Sequence, residues 1–454
     1  MGGHVEHKGM EEFDGLSREE LIGTILEQRE IIQGLAKELE DLKAKLSGGG
    51  SSSPAVPPWV KPNRKEHRAA ERKKRKKSFV RRRETPTRIV EHALSECPDC
   101  GRALYGGTVK RVRQVIEIPM PAVEIVEHRF IARRCGYCGK VHVPKAELGD
   151  QVVGKHRVGM NLMSLIAYLS TAGRMTKRTV QSFIEALYGL HLGLGEISEI
   201  LHTVASYGRD EMNRLLDSVR GSPYINADET GWREDGLNGY IWTFSTKDVR
   251  YFIYRRSRSG EIPKAAIGNE YEGVVVTDCY AGYNGVLADR QVCWAHLARD
   301  LHKLKERNTE NEAVTSWADK VKSVYDRAKK FKSKNMHRRR AQRVLLEEEI
   351  RRLAEPYVGS ERPQGVLAKR FMDHLCELFM FVEYPEVPSE NNGAERALRP
   401  CVITRKVCGG TRSEKGSETK MTLMSLFGTW HIRGLDMLDS CRQLLTGGSV
   451  LFPV

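Results

Sequence analysis

The sequence predicts a multidomain α/β protein whose largest part is a mixed β-sheet covered by helices. The chain has 454 residues, which is enough for about three domains. Beyond residue 216, strand and helix patterns follow one another in the order β-β-β-α-β-α-β-α, which is typical of a mixed sheet with helices packed on it. Upstream, a heptad repeat and two C-x-x-C pairs indicate separate, smaller domains.

The charge balance points to a polyanionic partner. The chain carries 74 Lys and Arg against 59 Asp and Glu, a formal net charge of +15. Nucleic acid is the simplest partner for such an excess. No apolar run approaches the roughly 18 residues of a membrane span, and the N-terminus lacks the apolar region of a signal peptide. We therefore expect a cytoplasmic protein without a membrane partner.

The first 46 residues predict an amphipathic helix with a leucine-zipper-like seam. Ser17 and Glu20 form a capping-box pattern at its start. Apolar residues then recur at heptad positions a and d, with Gln28 as the polar exception. The seam positions are Leu21, Ile25, Gln28, Ile32, Leu35, Leu39, Leu42 and Leu46. Such a helix either packs on its own chain or, as we favour ahead of a flexible linker, pairs with a second copy.

A basic arm over residues 64–83 follows a glycine-, serine- and proline-rich linker, residues 47–63. The arm has twelve Lys or Arg and two Glu, a net charge of +10. It is either a solvated, unstructured charge run or a segment that lies along DNA phosphates and releases counterions. Its candidate DNA-binding residues are Arg72, Lys73, Lys74, Arg75, Lys76, Lys77, Arg81, Arg82 and Arg83.

Two cysteine pairs predict a structural zinc site. Cys97 and Cys100 form the first pair, Cys135 and Cys138 form the second, and a glycine follows each pair. Four thiolates suit a closed tetrahedral zinc site, and the glycines let backbone amides turn toward the sulfurs. A redox-active dithiol is the alternative, and the presence of two pairs argues against it. The alternating pattern over residues 115–133 predicts short strands of a small, zinc-ribbon-like domain.

Residues 158–216 predict several helices, broken at Gly173, Gly189 and Gly208. Part of this region, residues 174–203, could hold a helix-turn-helix that contacts DNA. The signal is weak, because any helical domain of this size offers such a pair of helices.

Two aspartates follow predicted strands of the sheet. Asp228 closes a segment that begins at Tyr224, and Asp278 follows a Val-Val-Val-Thr strand. Strand ends present side chains into a common crevice, and carboxylates there could hold two divalent ions for phosphodiester chemistry. Taken alone, an aspartate at a strand end is more often a turn or capping residue. A further strand predicted at residues 292–295 leads into a helix opened by His296, which either packs and caps or lies close to the metal site.

A third motif favours the metal-binding interpretation of the two aspartates over the turn or capping interpretation. The run Ser-Glu-Asn-Asn-Gly-Ala-Glu-Arg-Ala-Leu-Arg-Pro starts at Ser389. It follows Asp-Glu-Thr at 228–230, Thr-Asp-Cys-Tyr-Ala-Gly-Tyr at 277–283 and Cys-Trp-Ala-His at 293–296. In this order the motifs resemble those of the DDE transposases of bacterial insertion sequence 66, over nearly the whole chain. The helix after His296 departs from the family's two arginines and an aromatic residue, since only Arg299 fits.

The resemblance implies a ribonuclease-H-like catalytic core with a helical insertion, and DNA cutting and joining that depends on two Mg²⁺ or Mn²⁺ ions. Carried over by motif, the catalytic and metal-binding triad is Asp228, Asp278 and Glu395. The residues expected to support it are Asn391, Asn392, Arg399 and His296. The resemblance further implies element ends and target DNA as substrates, a dimer or other homo-oligomer in the active complex, small accessory proteins as partners, and a place at the bacterial nucleoid.

Pattern and resemblance together divide the chain into eight segments. They are a coiled-coil helix (1–46), a flexible linker and basic arm (47–90), a zinc-binding domain (91–150), a helical segment with the candidate helix-turn-helix (151–216), the first part of the core (217–307), a helical insertion (308–385), the last core helix with the third acid (386–410) and a C-terminal tail (411–454). We expect the last core helix to stop at Pro400, because proline disrupts a helix interior.

Helical geometry favours Glu395 over Glu390 as the third acid. The two lie five residues apart, which separates them by about 140° around a helix, so they cannot share a face. Asn391 and Arg399 lie four residues on either side of Glu395 and fall on its stripe. Glu390 is expected to precede the helix. If Asn392 is the N-cap, Glu395 could instead close a capping box.

We predict a transposase in which water first attacks the phosphodiester at an element end, and the freed 3′-OH then attacks target DNA. Two alternatives stay open. A zipper-plus-zinc regulator with an inactive core would bind DNA without cutting it, and a structure-specific nuclease would cut without joining. The acid triad argues against the first, and the Asn-Asn-x-Ala-Glu-Arg motif argues against the second.

Overall fold

The computed structural model describes residues 83–117, 122–145, 148–149, 151–448 and 450–451, together with Gly23, Arg29 and residues 32–34. The chain divides into two units, Met1–Glu117 and Ile118–Val454. Apart from Ile32 and the exposed Arg83, the predicted coiled-coil seam and basic arm lie outside the described residues. Within the described ranges, none of the helices combines the length and apolarity that a membrane span requires.

The cysteine-rich region contains fewer strands than its alternating pattern predicts. Its only ladder in the described ranges pairs β1 (Arg133–Arg134) with β2 (Val141–His142), antiparallel. Residues 108–117 and 122–132 contain no strand. The strands predicted over that stretch are therefore wrong, because alternation favours a strand only where one face is buried, whereas Val115 and Ile125 are about four-fifths exposed.

Within the described residues 151–223, four helices precede the main sheet. They are α1 (Met160–Thr171), α2 (Lys177–Tyr188), α3 (Leu194–Tyr207) and α4 (Arg209–Arg220). The predicted breaks at Gly173, Gly189 and Gly208 are confirmed. Gly189 ends α2 with a φ of 64°, a left-handed conformation that glycine adopts without steric cost. The loop from Gly189 to Gly193 joins α2 to α3, the pair in which a helix-turn-helix was predicted.

A five-stranded mixed sheet forms the centre of the second unit, which confirms the predicted α/β class. Its strands are β3 (Tyr224–Glu234), β4 (Leu237–Ser245), β5 (Arg250–Arg255), β6 (Val274–Thr277) and β7 (Asp289–Val292), in the order β5-β4-β3-β6-β7. β3, β4 and β5 form an antiparallel meander, whereas β6 and β7 run parallel to β3. The sheet therefore has one antiparallel half and one parallel half, which meet at β3.

β3 is longer than the sequence indicates. Its parallel pairing with β6 ends at Asn226, opposite Val276, but its antiparallel pairing with β4 continues to Glu234. Asp228 therefore lies in the middle of a strand, and the prediction that it closes one is wrong, because β4 supplies a partner beyond the point where β6 stops. Asp278 directly follows β6, as predicted.

The connections after β5 differ in detail from the predicted order. α5 (Glu261–Ile267) lies between β5 and β6 as expected, but β6 and β7 are joined by a 3-10 turn, Ala281–Tyr283, instead of a helix. The strand predicted at residues 292–295 is also wrong, since β7 ends at Val292 and a helix already begins at Trp294. Because Val292 and Trp294 are both fully buried, the local pattern of apolar residues does not distinguish strand from helix there.

A helical region follows β7. Its helices are α6 (Trp294–Arg307), α7 (Glu312–Lys330), α8 (Met336–Ala354), α9 (Gly365–Asp373) and α10 (Met380–Glu383). The described residues 308–385 contain no strand, in agreement with the helical pattern read there. They pack around a hydrophobic cluster of their own, in which Trp294 of α6 stacks on Tyr325 of α7 with ring centroids 4.4 Å apart. This cluster attaches the helical region to the end of β7.

The helix that carries Glu395, α11 (Asn392–Cys408), runs through Pro400, so the prediction that it stops there is wrong. Proline removes one backbone hydrogen bond from the helix. Ala397, Leu398 and Cys401 on either side of it are buried against the sheet. Packing of this apolar face outweighs the lost hydrogen bond, because most helix stability in proteins comes from tertiary contacts.

The segment read as a C-terminal tail is part of the core. It forms α12 (Glu414–Ile432) and α13 (Met437–Leu445). α12 covers β5, the edge strand of the sheet, where the backbone amides of Phe252 and Arg250 donate to the hydroxyls of Ser425 and Thr429 at 2.9 and 3.0 Å. An edge strand otherwise presents unpaired amides to solvent, so α12 completes the sheet.

Candidate active site

The two predicted aspartates lie just beyond the paired part of two parallel strands. β6 is paired with β3 up to Asn226 and Val276, so Asp228 and Asp278 each lie two residues past the last pair, and Asp278 is near enough for its charge to act on Asp228. Each carboxylate is oriented by a nearby backbone amide: Glu229 N donates to Asp228 Oδ1 and Tyr280 N donates to Asp278 Oδ1, both at 2.9 Å.

Alternation along β3 separates Asp228 from its neighbour Glu229. Successive side chains of a strand point to opposite faces of the sheet, so Asp228 shares a face with Asn226, and Glu229 lies on the other. There Glu229 accepts hydrogen bonds from Tyr283 Oη at 2.8 Å and from Arg258 Nε at 2.9 Å. A carboxylate with a guanidinium and a phenol bound to it is neutralised, and it is therefore a poor candidate for metal binding.

Arg258 is a residue of the site that the sequence analysis missed. Besides bonding Glu229, its guanidinium lies 3.9 Å from the ring centroid of Tyr280, whose own hydroxyl donates to Arg258 O at 2.7 Å. Tyr280 also supplies the amide that orients Asp278. Arg258 thus links the strand of Asp228 to the loop of Asp278, and no local motif around it indicates this role.

Asn391, predicted to support the triad, docks α11 onto the sheet. Its side-chain amide donates to Ala227 O at 2.7 Å, its Oδ1 accepts from Asn226 Nδ2 at 3.0 Å, and its backbone amide donates to Cys293 Sγ at 3.1 Å. The side chain is almost completely buried. It therefore fixes the start of the helix against β3, one turn before Glu395.

The third position of the Asn-Asn-x-Ala-Glu-Arg motif is occupied by Gly393 for a steric reason. A Cβ atom at Gly393 would overlap the amide of Asn226. Since Asn226 is itself held by Asn391, neither neighbour can move away without breaking the dock. The motif therefore requires glycine in this chain, which becomes visible only when β3 and α11 are seen together.

Glu395 faces His296 across the site. Glu395 Oε1 lies 3.9 Å from His296 Nε2, and each side chain is 35% exposed. His296 lies in the first turn of α6, and its buried Nδ1 has no hydrogen-bond partner among the described residues. α11 is N-capped by Asn391, not Asn392, so Glu395 is the fourth helical residue, and the capping-box alternative is wrong.

Glu390, the rival acid, belongs to a different contact. It precedes α11, as expected, and accepts hydrogen bonds from Tyr325 Oη at 3.1 Å and Asn392 Nδ2 at 2.6 Å. Lys329 Nζ lies 4.0 Å from it. Glu390 therefore joins α7 to the start of α11, and the side chain of Asn392, predicted to support the triad, is used in this contact.

Burial changes along the predicted stripe of α11. Asn391 is buried against β3, Glu395 is half-buried and Arg399 is exposed. The stripe thus leads from the sheet to the surface of the unit, with Glu395 at its middle.

Burial and neighbouring negative charges act together on Asp228. Burial and the negative charges of Glu229, Asp278 and Glu395 raise the pKa of Asp228 to about 7, against an opposing hydrogen bond from the Glu229 amide. A divalent cation would relieve this repulsion, and carboxylate oxygens are the ligands that Mg²⁺ and Mn²⁺ prefer. Across the described ranges, however, no three acidic, histidine or cysteine side chains are close enough to share one ion.

The two cysteine pairs lie in different units and have the same local geometry. In each turn the glycine amide donates to the first cysteine carbonyl, Gly101 N to Cys97 O at 2.8 Å and Gly139 N to Cys135 O at 3.0 Å. Both glycines have a positive φ, 73° and 70°. In the second turn the backbone amide of Cys138 also donates to Cys135 Sγ at 3.5 Å, as the Cys-x-x-Cys-Gly pattern predicts.

These amides stabilise the thiolate form in each turn. The amides of Asp99 and Cys100 lower the pKa of Cys97, and the amide of Cys138 makes the largest contribution to lowering the pKa of Cys135. A thiolate is the form that binds zinc. Each turn by itself is suited to supply two metal ligands, and the four-cysteine site stays a prediction.

Comparison with known proteins places the acids within one family match. The family described as Transposase IS66 family matches residues 155–419, a range that includes Asp228, Asp278 and Glu395. The cysteine pairs and the helix predicted over the first 46 residues lie outside that range.

Three similar proteins come from Sinorhizobium fredii and are described as uncharacterized. Protein y4jD is 22% identical over 407 residues, which cover 80% of this chain and 77% of the relative. Protein y4qI is 27% identical over 290 residues, covering 56% and 51%, and y4hP is 20% identical over 391 residues, covering 77% and 70%.

Proposed function

Because the chain belongs to the transposase family of insertion sequence 66, we propose that it cleaves the ends of its element and joins the freed 3′-OH to target DNA. The observation that carries this proposal is that Asp228 and Asp278 each lie two residues beyond the last pair of the parallel strands β3 and β6, inside the family match. Glu395 completes the set from α11, which Asn391 docks onto β3.

Asp228, Asp278 and Glu395 would hold the divalent ions, which when bound activate the attacking oxygen and stabilise the leaving oxygen. The raised pKa of Asp228 supports this assignment, since burial and the charges of Glu229, Asp278 and Glu395 all favour its protonated form, and a bound cation would offset them. At neutral pH part of the Asp228 population carries a proton, which metal binding would release. The side chain of Glu395 is 35% exposed. In this proposal its carboxylate turns toward the two aspartates when the ions bind.

In this proposal the core is ribonuclease-H-like, and the order and direction of the strands in its sheet support that. Three antiparallel strands are followed by two parallel ones, and the aspartates of the triad lie on and directly after the parallel pair β3 and β6. The helices over residues 308–385 form an insertion between α6 and the helix of the third acid. Their separate hydrophobic cluster supports this division.

The other segments serve DNA binding and assembly in this proposal. The cysteine turns form one zinc site that folds the segment around them, the pair α2 and α3 contacts element ends, and the basic arm binds phosphates without reading sequence. The N-terminal helix pairs two chains, which brings two element ends together. The protein works at the bacterial nucleoid, with small accessory proteins of the element as further partners.

A strand-transfer assay tests the proposal. The full chain is incubated with Mg²⁺, a labelled duplex that ends in the element's terminal sequence, and a circular target plasmid. Labelled plasmid is the expected product, and the control reactions contain EDTA or the Asp278→Asn variant. Binding without metal-dependent cleavage would identify a regulator with an inactive core, and cleavage without joining would identify a nuclease.

A further inference from the structure

A strongly basic surface lies at the turn between α7 and α8. Residues 327–343, which we name the basic tip, contain nine Lys or Arg and no Asp or Glu. They cover the last turn of α7, the connecting loop and the first two turns of α8. The basic tip is distinct from the arm over residues 64–83.

Four cations of the basic tip have no acidic partner. The side chains of Lys330, Lys332, Lys334 and Arg338 are exposed, and none of them forms an ion pair in the part of the chain that the structure describes. The other end of α8 is different, because Arg351 and Arg352 there pair with Glu348 at 3.2 and 3.4 Å. Along α8, the cations without an acidic partner therefore lie at the tip.

Other arginines of the tip hold its shape. Arg339 donates from Nε to Glu383 O at 2.8 Å and from its Nη1 to the carbonyls of Ser333 and Lys334 at 3.2 Å. Arg343 donates to the Glu383 carboxylate at 2.8 Å. These bonds attach the loop to the helical region, so the exposed lysines are presented on an ordered surface.

The basic tip is next to the segment that leads into the helix of Glu395. Tyr325, on α7, donates to Glu390, and Lys329 lies 4.0 Å from the same carboxylate. Glu390 is separated from α11 by one residue. The exposed lysines therefore begin about one helical turn beyond this contact.

The arrangement is electrostatically unfavourable for the protein alone. Like charges repel one another, and cations in the first turn of α8 oppose the helix dipole. The first turn of α8 contains no acidic residue that would compensate. A rigid polyanion would balance these charges, and double-stranded DNA offers one phosphate charge about every 1.7 Å along its axis.

We propose that the basic tip binds the phosphate backbone of double-stranded DNA beside the phosphodiester that is cut or joined. This inference rests on the proposed function, since it assumes that the reacting DNA lies at the acids. The DNA is either the element end or the target, and both present the same phosphates.

The test is the salt dependence of DNA binding by the full-length chain in buffer without added Mg²⁺ or Mn²⁺, which leaves a structural zinc site intact. The tip variant Lys332→Gln/Lys334→Gln is compared with Arg351→Gln/Arg352→Gln, which removes the same charge from the far end of α8. The probe is a fluorescent duplex of about 30 base pairs, roughly three helical turns. For the tip variant we expect the slope of log affinity against log salt to shrink by about 1.8, that is, by about 0.9 for each lost phosphate contact. The control should stay close to the unmodified chain.

Two duplexes separate the sources of DNA. One ends in the element's terminal sequence and the other lacks it, and the duplex whose slope changes more identifies the strand that the tip contacts. Unchanged slopes on both duplexes, or an equal change in the control variant, would overturn the proposal and leave an acidic protein as the candidate partner. Because binding is measured without added Mg²⁺ or Mn²⁺, a tip that binds DNA in a chain that never cleaves would refute the proposed function and not the tip.

Discussion

Asp228 and Glu234 lie on the same face of β3, six residues apart, in opposite surroundings. Glu234 is 1% exposed, accepts a hydrogen bond from Ser417 Oγ at 2.6 Å, and pairs with Arg256 at 2.9 Å. Asp228 instead has the Glu229 amide and a field of three other carboxylates. A carboxylate is therefore neutralised by its partners at Glu234 and surrounded by other carboxylates at Asp228, although both lie on β3.

The difference separates a structural acid from a candidate catalytic one. A buried carboxylate with a cation and a hydroxyl satisfies its hydrogen bonds and stabilises the fold. A half-buried carboxylate among other carboxylates lowers the stability of the metal-free fold, and groups of that kind concentrate at functional sites. Each of the following predictions tests one side of this contrast.

The largest expected effect is on activity. Asp228→Asn, Asp278→Asn and Glu395→Gln should each leave folding and DNA binding intact and lower both cleavage and joining on the order of a thousandfold or more, because each removes a metal ligand. The strand-transfer assay measures this loss.

Glu390→Gln is the matched control for Glu395→Gln, since both acids lie at the start of α11. It should keep activity, because Glu390 contacts Tyr325 and Asn392 instead of the aspartates. Near-normal joining by Glu395→Gln together with loss in Glu390→Gln would show that the third acid is misassigned.

The second prediction concerns pH in the absence of metal. The pKa of Asp228 is about 7 in the folded chain and about 3.9 when unfolded, so the folded state holds the proton more tightly. The stability from this proton is fully present below about pH 4 and is lost as pH rises through 7. Asp228→Asn mimics the protonated form and should therefore be more stable than the unmodified chain at pH 8.

Urea denaturation in EDTA from pH 4 to pH 8 measures that difference. The gap should grow with pH up to about 7 and then level off, and added Mg²⁺ should narrow it by stabilising only the unmodified chain. A gap that does not vary with pH would contradict the crowded-carboxylate interpretation of Asp228.

The third prediction addresses the other end of β3. Glu234→Gln should lower the free energy of unfolding by about 1–3 kcal/mol, because it weakens hydrogen bonds to a buried charge. The exposure of Arg256 keeps the loss in this range, since the arginine remains solvated. Activity per folded molecule should stay unchanged. A loss of strand transfer without a loss of stability would show that Glu234 is not a purely structural acid.

The fourth prediction tests the contact that docks α11 beside Asp228. Gly393→Ala should lower stability by about 1–3 kcal/mol, because the added methyl group overlaps Asn226. The cost should shrink in an Asn226→Ala background, which a double-mutant cycle by urea denaturation measures. Additive costs would mean that the two residues do not touch.

Sequence patterns identify the three candidate acids of the site. They do not predict which residues contact those acids. The three acids stand in short motifs, so they can be read without a fold. Arg258 cannot, because its contact with Glu229 joins residues 29 positions apart in sequence. Tyr283 stands in the motif at 277–283, but its bond to Glu229, 54 positions earlier, is visible only in the fold. Asp228 was placed at a strand end, although β4, formed after it in the chain, extends its strand to Glu234.

The sequence by itself determined the features that depend on near neighbours. These include the α/β class, the helix breaks at Gly189 and Gly208, and the aspartate directly after β6. Backbone sterics and local periodicity act over a few residues and can therefore be read along the chain. Only the tertiary structure decided that α11 continues through Pro400, that α12 covers the edge of the sheet, and that Gly393 must be glycine. Each of these depends on burial against residues far away in sequence, as when Asn226 meets Asn391, 165 positions later.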